Sequence, residues 1–146
     1  MIKIGIVGFS RNQFDKKAAY VKLEKILNDL TKDKDKAIFE IVSGYTASGV
    51  PLIAYKIADK LGLKTVGFSA NQAKNVRSGV YSVQKVILVG EKFGDESQSF
   101  IDYIDVLVRI GGGKQSRHEV ALFKIKNENA DLASKLFEEE VEWFGQ

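Results

Sequence analysis

The sequence predicts an α/β three-layer sandwich, with a mainly parallel sheet of about five strands between two layers of helices. Three observations predict it. Short β-branched runs alternate along the chain with segments whose apolar residues recur at helical spacing. The runs end in glycine-bearing turns that open the next helical segment. Strand-helix alternation of this kind implies parallel crossovers and a sheet covered on both faces.

The first strand is Ile2 to Val7, ending at Gly8. Ala19, Leu23, Ile26, Leu27 and Leu30 then fall on one face of a helix. Ile38 to Val42 is a second strand. Val50, Ile53, Ala54, Ile57, Ala58 and Leu61 form a second apolar helical stripe, closed by Gly62 as C-cap. Lys64 to Phe68 is a third strand and Val86 to Val89 a fourth. The segment from Ala70 to Ser82 lacks a period and reads as a loop over the site. Asp95 and Gln98 have capping-box spacing at the start of a short helix. Asp105 to Ile110 is the fifth strand, and a helix follows Gly111-Gly112-Gly113. Asp131 to Phe137 reads as helix, and Val141 to Phe144 as a helix end or a short strand.

At 146 residues the chain suits one domain, spanning 1–146, with a core of useful size. Its net charge of +3 is spread out, and no basic block points to nucleic acid. With no cysteine, thiolate metal sites and disulfides are excluded. A single histidine leaves little scope for a zinc centre or a Ser-His-Asp triad. No apolar run reaches the roughly 20 residues of a bilayer span, and the N-terminus is strand-like rather than a secretion signal. The expectation is a cytoplasmic protein without membrane partner or metal.

In parallel sheets ligands bind at the carboxyl ends of the strands, where the strand order reverses. Those ends carry Gly8-Phe9-Ser10-Arg11, Gly44-Tyr45-Thr46-Ala47-Ser48-Gly49, Gly90-Glu91 and Gly111-Gly112-Gly113. The dinucleotide fingerprint is absent from the first turn, and Lys114-Gln115 breaks the P-loop pattern. What remains is a phosphate corner. The triple glycine lets backbone N–H groups approach a ligand, and the helix start that follows favours an anion. The turn at Gly44 to Gly49 offers N–H groups and hydroxyls as a phosphate or ribose cradle. The cradle is the preferred reading, because this turn and the triple glycine could converge on one crevice; the other is a plain turn with Ser48 as N-cap.

Glu119 carries two readings. Ser116-Arg117-His118-Glu119 fits a capping box, with Ser116 as N-cap. Alternatively the Glu119 carboxylate faces the crevice, accepting hydrogen bonds from a ribose or assisting cleavage at its anomeric carbon. Phe9 and Tyr45 stand where they could stack on a base or join the core. His118 reads as a surface residue and Trp143 as a packing one. Arg11, Arg77 and Arg117 are each within the reach of a phosphate or simply solvated.

The set Val7-Gly8-Phe9-Ser10, Ser43-Gly44 with Ser48-Gly49, and Gly111 through Glu119 resembles the SLOG superfamily. This group of Rossmann-like proteins includes the LOG phosphoribohydrolases and the molybdenum cofactor carrier proteins. The similarity runs from about Ile2 to Ile125. Gly112, Gly113 and Glu119 match the LOG signature P-G-G-x-G-T-x-x-E, Ser116 stands for its threonine and Gln115 for its third glycine. The arginine that LOG enzymes carry about sixteen residues earlier is missing from Asp95-Glu96-Ser97-Gln98.

The resemblance implies a site for a phosphorylated nucleoside or a related pterin-nucleotide. Gly8, Phe9, Ser10, Arg11, Gly44, Tyr45, Thr46, Ser48, Gly49, Gly111, Gly112, Gly113, Gln115 and Ser116 would bind the ligand. Glu119 would be the catalytic group if an N-glycosidic bond of a nucleoside 5′-monophosphate is hydrolysed, with no metal and no resident cofactor. The alternatives are a non-catalytic nucleotide sensor, a molybdenum cofactor carrier, or a nucleoside deoxyribosyltransferase-like enzyme. A homodimer is a further implication of the resemblance.

Overall fold

The structure, a computed structural model, describes residues 1–145; Gln146, the last residue of the expected domain, lies outside the described residues. The strands are β1 (Ile2–Gly8), β2 (Phe39–Ser43), β3 (Lys64–Ser69), β4 (Lys85–Leu88), β5 (Val106–Ile110) and β6 (Leu136–Glu139). The α-helices are α1 (Lys16–Thr31), α2 (Gly49–Leu61), α3 (Ser97–Tyr103) and α4 (Lys114–Lys126). Among the described residues the strands form one six-stranded sheet in the order β4-β3-β2-β1-β5-β6. Every pairing is parallel.

Side chains that alternate along a strand point to opposite faces, and the two cores follow from that rule. Ile4 and Ile6 of β1, Ile41 of β2 and Val108 of β5 pack beneath α1 and α2. Val7, Val42, Val66 and Leu107 belong to the opposite core, with Phe100 and Ile101 of α3 and Val120 and Phe123 of α4. Ala19, Leu23 and Leu27 give α1 its buried stripe, and Asp15 caps it by accepting from the Ala18 N–H at 3.0 Å. Gly62, at φ 76°, ends α2 in the left-handed conformation expected of it. Inside the sheet, the Tyr55 hydroxyl lies within 2.7 Å of the Ser43 carbonyl, 2.8 Å of Gly44 and 2.9 Å of Val66. Its one proton, shared among these acceptors, ties α2 to the ends of β2 and β3.

Three local expectations give way to other contacts. Residues 131–137, expected to be helical, form a single 3-10 turn over Leu132–Ser134 and then β6. The reason is the open edge of β5. Leu107 N–H donates to the Lys135 carbonyl at 2.8 Å, and Arg109 of β5 binds Glu138 at 2.8 Å and Glu140 at 3.0 Å. Two carboxylates two residues apart meet one cation only if the backbone is extended. Beyond β6, Val141 to Phe144 adds no regular element; Trp143 makes one antiparallel bridge to Phe14.

The two capping boxes also differ. The Asp95 carboxylate accepts from the N–H groups of Glu91 and Lys92, at 3.1 and 3.0 Å, closing the turn after β4. The Gln98 amide donates to Asp102 instead. Helix α4 begins at Lys114 with Gly113 as N-cap, so Ser116 already lies inside its first turn, where Ser116 Oγ donates to the Gly113 carbonyl at 3.1 Å. Glu119 is a turn further in and does not reach back to Ser116.

Candidate functional site

Strand β1 has β2 on one side and β5 on the other, so the direction of winding reverses between β1 and β5. A crevice of about 1190 Å³ opens at the carboxyl ends of these strands. Such a switch point is where an open α/β sheet leaves room for a ligand.

One wall is the turn after β5. Gly111 and Gly112 have φ of 58° and 104°, conformations that a side chain strains. A Cβ at Gly111 would also collide with the Phe9 ring, and one at Gly112 with Ser116. Neither glycine lines the crevice; they shape the turn behind it. Gly113 does line it and faces open space. Among the described residues, the N–H groups from Gly112 to Ser116 donate to no protein acceptor. The start of α4 is therefore an uncapped donor cluster with the positive end of the helix behind it.

The turn is braced from outside the crevice. Buried Arg109 donates from Nη1 to the Gly111 carbonyl at 2.8 Å, and the Gly111 N–H donates to the Glu139 carbonyl at 2.8 Å. Burial alone would lower the affinity of Arg109 for its proton, but the carboxylates of Glu140 and Glu138 more than offset it.

The opposite wall comes from the turns after β1 and β2. Gly8, Phe9, Ser10 and Arg11 all line the crevice, as do Gly44, Thr46 and Ser48. Helix α2, however, has spent its first donors: Gly49 N–H goes to Asn12 Oδ1 at 2.8 Å and Val50 N–H to the Phe9 carbonyl at 2.7 Å. Ser48 occupies the N-cap position yet caps nothing, its hydroxyl donating to the Ser10 carbonyl at 2.9 Å. Asn12, distant in sequence, does the capping. Gly49 and Tyr45 lie off the crevice, and the Tyr45 ring packs over Gly67. Phe9 packs in an aromatic cluster, 5.3 Å from Phe14 and 4.9 Å from Trp143 between ring centres.

The floor is acidic. Glu119 and Glu96, both 5% exposed, line the crevice together. Ser97 Oγ donates to Glu119 Oε2 at 2.9 Å, and the Gln115 amide donates to Glu96 Oε2 at 3.4 Å. Burial pushes the Glu119 carboxyl up to about 7, helped by the charge of Glu96 and opposed by hydrogen bonds from Ser97 and Gln115. Glu96 and Ser97 occupy the neighbourhood in which LOG enzymes carry arginine. Sequence reasoning marked that stretch for what it lacks and passed over the acid it holds. A glutamate followed by serine in a short helix start has no spacing that announces a buried partner.

Cations stand at the rim. Arg11, Arg77 and Lys114 line the crevice, are exposed, and make no hydrogen bond or ion pair among the described residues. Arg77 arrives on residues 70–82, expected as a loop over the site; the segment opens with a 3-10 helix over Asn71–Asn75, and its Val76, Arg77 and Ser78 line the crevice. Arg117 is instead paired with Glu140 at 3.0 Å, and His118 is exposed and outside the crevice. No cluster of three potential metal ligands occurs among the described residues, and none of their helices is long and apolar enough to cross a membrane.

No family model matches the sequence, and no curated protein matches it. Solved structures do match the fold. The molybdenum cofactor carrier protein of Chlamydomonas reinhardtii superposes with a TM-score of 0.66 at 21% identity, over 86% of this chain and 71% of that one. The molybdenum cofactor binding protein of the phototrophic bacterium Rippkaea orientalis gives 0.65 at 22% identity, over 94% and 88%. A structural-genomics target solved by X-ray crystallography gives 0.64 at 21% identity, over 86% and 70%. At these identities the likeness is one of architecture: the chain has the Rossmann-like α/β fold found in this molybdenum cofactor carrier protein and this molybdenum cofactor binding protein.

Proposed function

We propose that the chain binds and carries a small phosphorylated ligand of nucleotide or pterin-nucleotide type, as a member of the SLOG group. The observation that carries this reading is the run of unpartnered N–H groups from Gly113 to Ser116, opening into a crevice rimmed by Arg11, Arg77 and Lys114. A phosphate is the group that this arrangement suits. Glu119 lies one helical turn deeper, about 5 Å along α4, where it meets the sugar or ring attached to that phosphate. The likeness to a molybdenum cofactor carrier protein and a molybdenum cofactor binding protein supports cargo binding, and the molybdenum cofactor is then the first ligand to try.

Hydrolysis of an N-glycosidic bond is the second reading, and one observation favours it. A carboxyl that titrates near 7 can hand a proton to a departing base at neutral pH. Against it, Glu119 is held by Ser97 and faces Glu96 where the LOG pattern has an arginine.

Calorimetric titration with nucleoside 5′-monophosphates and with released molybdenum cofactor tests the first reading, and chromatography of the same mixtures for free base tests the second. Saturable binding without base release supports a carrier. Base release that vanishes in Glu119→Ala overturns it in favour of hydrolysis, and no binding by any ligand removes both. The homodimer and the cytoplasmic location belong to the same reading; light scattering on the purified protein decides the former.

A further inference from the structure

A second, smaller groove of about 470 Å³ lies between the N-terminal ends of α1 and α2. Lys16, Lys17 and Tyr20 line it from α1, and Leu52, Ile53 and Lys56 from α2. Asn12 lines both this groove and the crevice, so the two cavities share a wall residue at the turn after β1.

The lysines of α1 and α2 divide into two sets. Lys22 pairs with Glu139, Lys25 with Asp29 and Lys60 with Glu24, all outside the groove. Lys16, Lys17 and Lys56 all line the groove, are exposed, and make no ion pair or side-chain hydrogen bond among the described residues. Three like charges collected in one concavity repel one another, and a bound anion relieves that repulsion. The Asn12 Oδ1 is committed to the Gly49 N–H, which leaves its amide N–H groups as donors.

We infer that Lys16, Lys17 and Lys56 form a second phosphate subsite, contiguous with the crevice across Asn12. A ligand with phosphate groups at two separate positions, of nucleoside bisphosphate class, is the class that fits two such subsites on either side of one turn. That ligand class rests on the phosphate-binding reading of the crevice, whereas the subsite itself does not.

The test is a titration of the isotope-labelled protein with inorganic phosphate at constant ionic strength. The backbone amides and lysine side-chain signals are followed by NMR. Saturable shifts at Lys16, Lys17 and Lys56 are expected, together with a separate set from Gly113 to Ser116. In the Lys17→Glu/Lys56→Glu variant the first set should weaken at least about tenfold in affinity while the second is unchanged. Both substituted residues are exposed, so the variant should retain its spectrum elsewhere. Shifts at α4 without shifts in the groove overturn the subsite and leave the proposed function standing. Shifts in the groove without shifts at α4 do the reverse. Groove shifts that survive the double reversal also overturn the subsite.

Discussion

Ser97 Oγ donates a 2.9 Å hydrogen bond to Glu119 Oε2, joining the first residue of α3 to the second turn of α4 beneath the crevice. Both residues are buried, so the bond is the main local support for negative charge on Glu119. Removing it in Ser97→Ala should raise the Glu119 titration midpoint above about 7 and lower stability by about 1 kcal/mol. Carbon-13 detection of the glutamate carboxyl gives the first quantity and thermal unfolding the second. A midpoint that falls would contradict this account of the site.

Stability should depend on pH through the same carboxyl. An ordinary glutamate titrates near 4.5 in the unfolded chain, whereas burial holds Glu119 near 7 in the folded one. Below pH 4.5 both states keep the proton and folding loses nothing. As pH rises from there to about 7 the unfolded chain releases its proton first, so stability falls, reaching a penalty of about 3 kcal/mol above pH 7. Glu119→Gln should flatten this slope and make the protein more stable than the parent at pH 8 but not at pH 4.5. Urea unfolding at the two pH values measures it.

Arg109 should be structural for the site without touching it. It is 5% exposed and holds the Gly111 carbonyl together with Glu138 and Glu140. Its carboxylate partners are partly exposed, so the ion pairs themselves contribute little. The larger loss in Arg109→Met is the unpartnered Gly111 carbonyl and the freed edge of β6, together about 2 kcal/mol. Hydrogen exchange should show β6 and residues 111–113 opening earlier than the rest of the sheet; protection unchanged there would count against the brace.

Neighbouring glycines should separate folding from binding. Gly112→Ala forces a side chain into φ 104° and against Ser116, and should cost about 1–3 kcal/mol in thermal stability. Gly113→Ala meets open space and should leave the unfolding temperature within a degree or two while weakening phosphate binding. Equal loss of stability in both would mean that Gly113 shapes the turn rather than the crevice.

The parallel layout was readable because its signals are repeated and local. β-Branched runs and the stripe Ala19, Leu23, Leu27 do not depend on distant partners. The corner at Gly111 to Gly113 was readable for the same reason. Spacing failed where a distant residue competed for the same side chain. Ser116 and Glu119 have capping-box spacing, but Ser116 bonds the Gly113 carbonyl and Glu119 is taken by Ser97, 22 positions away. Leu136 and Phe137 suit a helix until Arg109 and the bare edge of β5 are present. Asn12 capping α2 in place of Ser48 is a contact over 37 positions that no local pattern carries.

The brace behind the triple glycine also sets an order of assembly. Residues 136–144 supply the partners of Arg109 and Gly111, the bridge to Phe14 and the hydrogen bond from Phe144 N–H to the Gln13 carbonyl. They therefore clasp the turns after β5 and β1, which lie about a hundred positions apart. A nascent chain halted before Leu136 would hold most of both cores yet lack the clasp, so the crevice walls should set only once β6 has emerged from the ribosome.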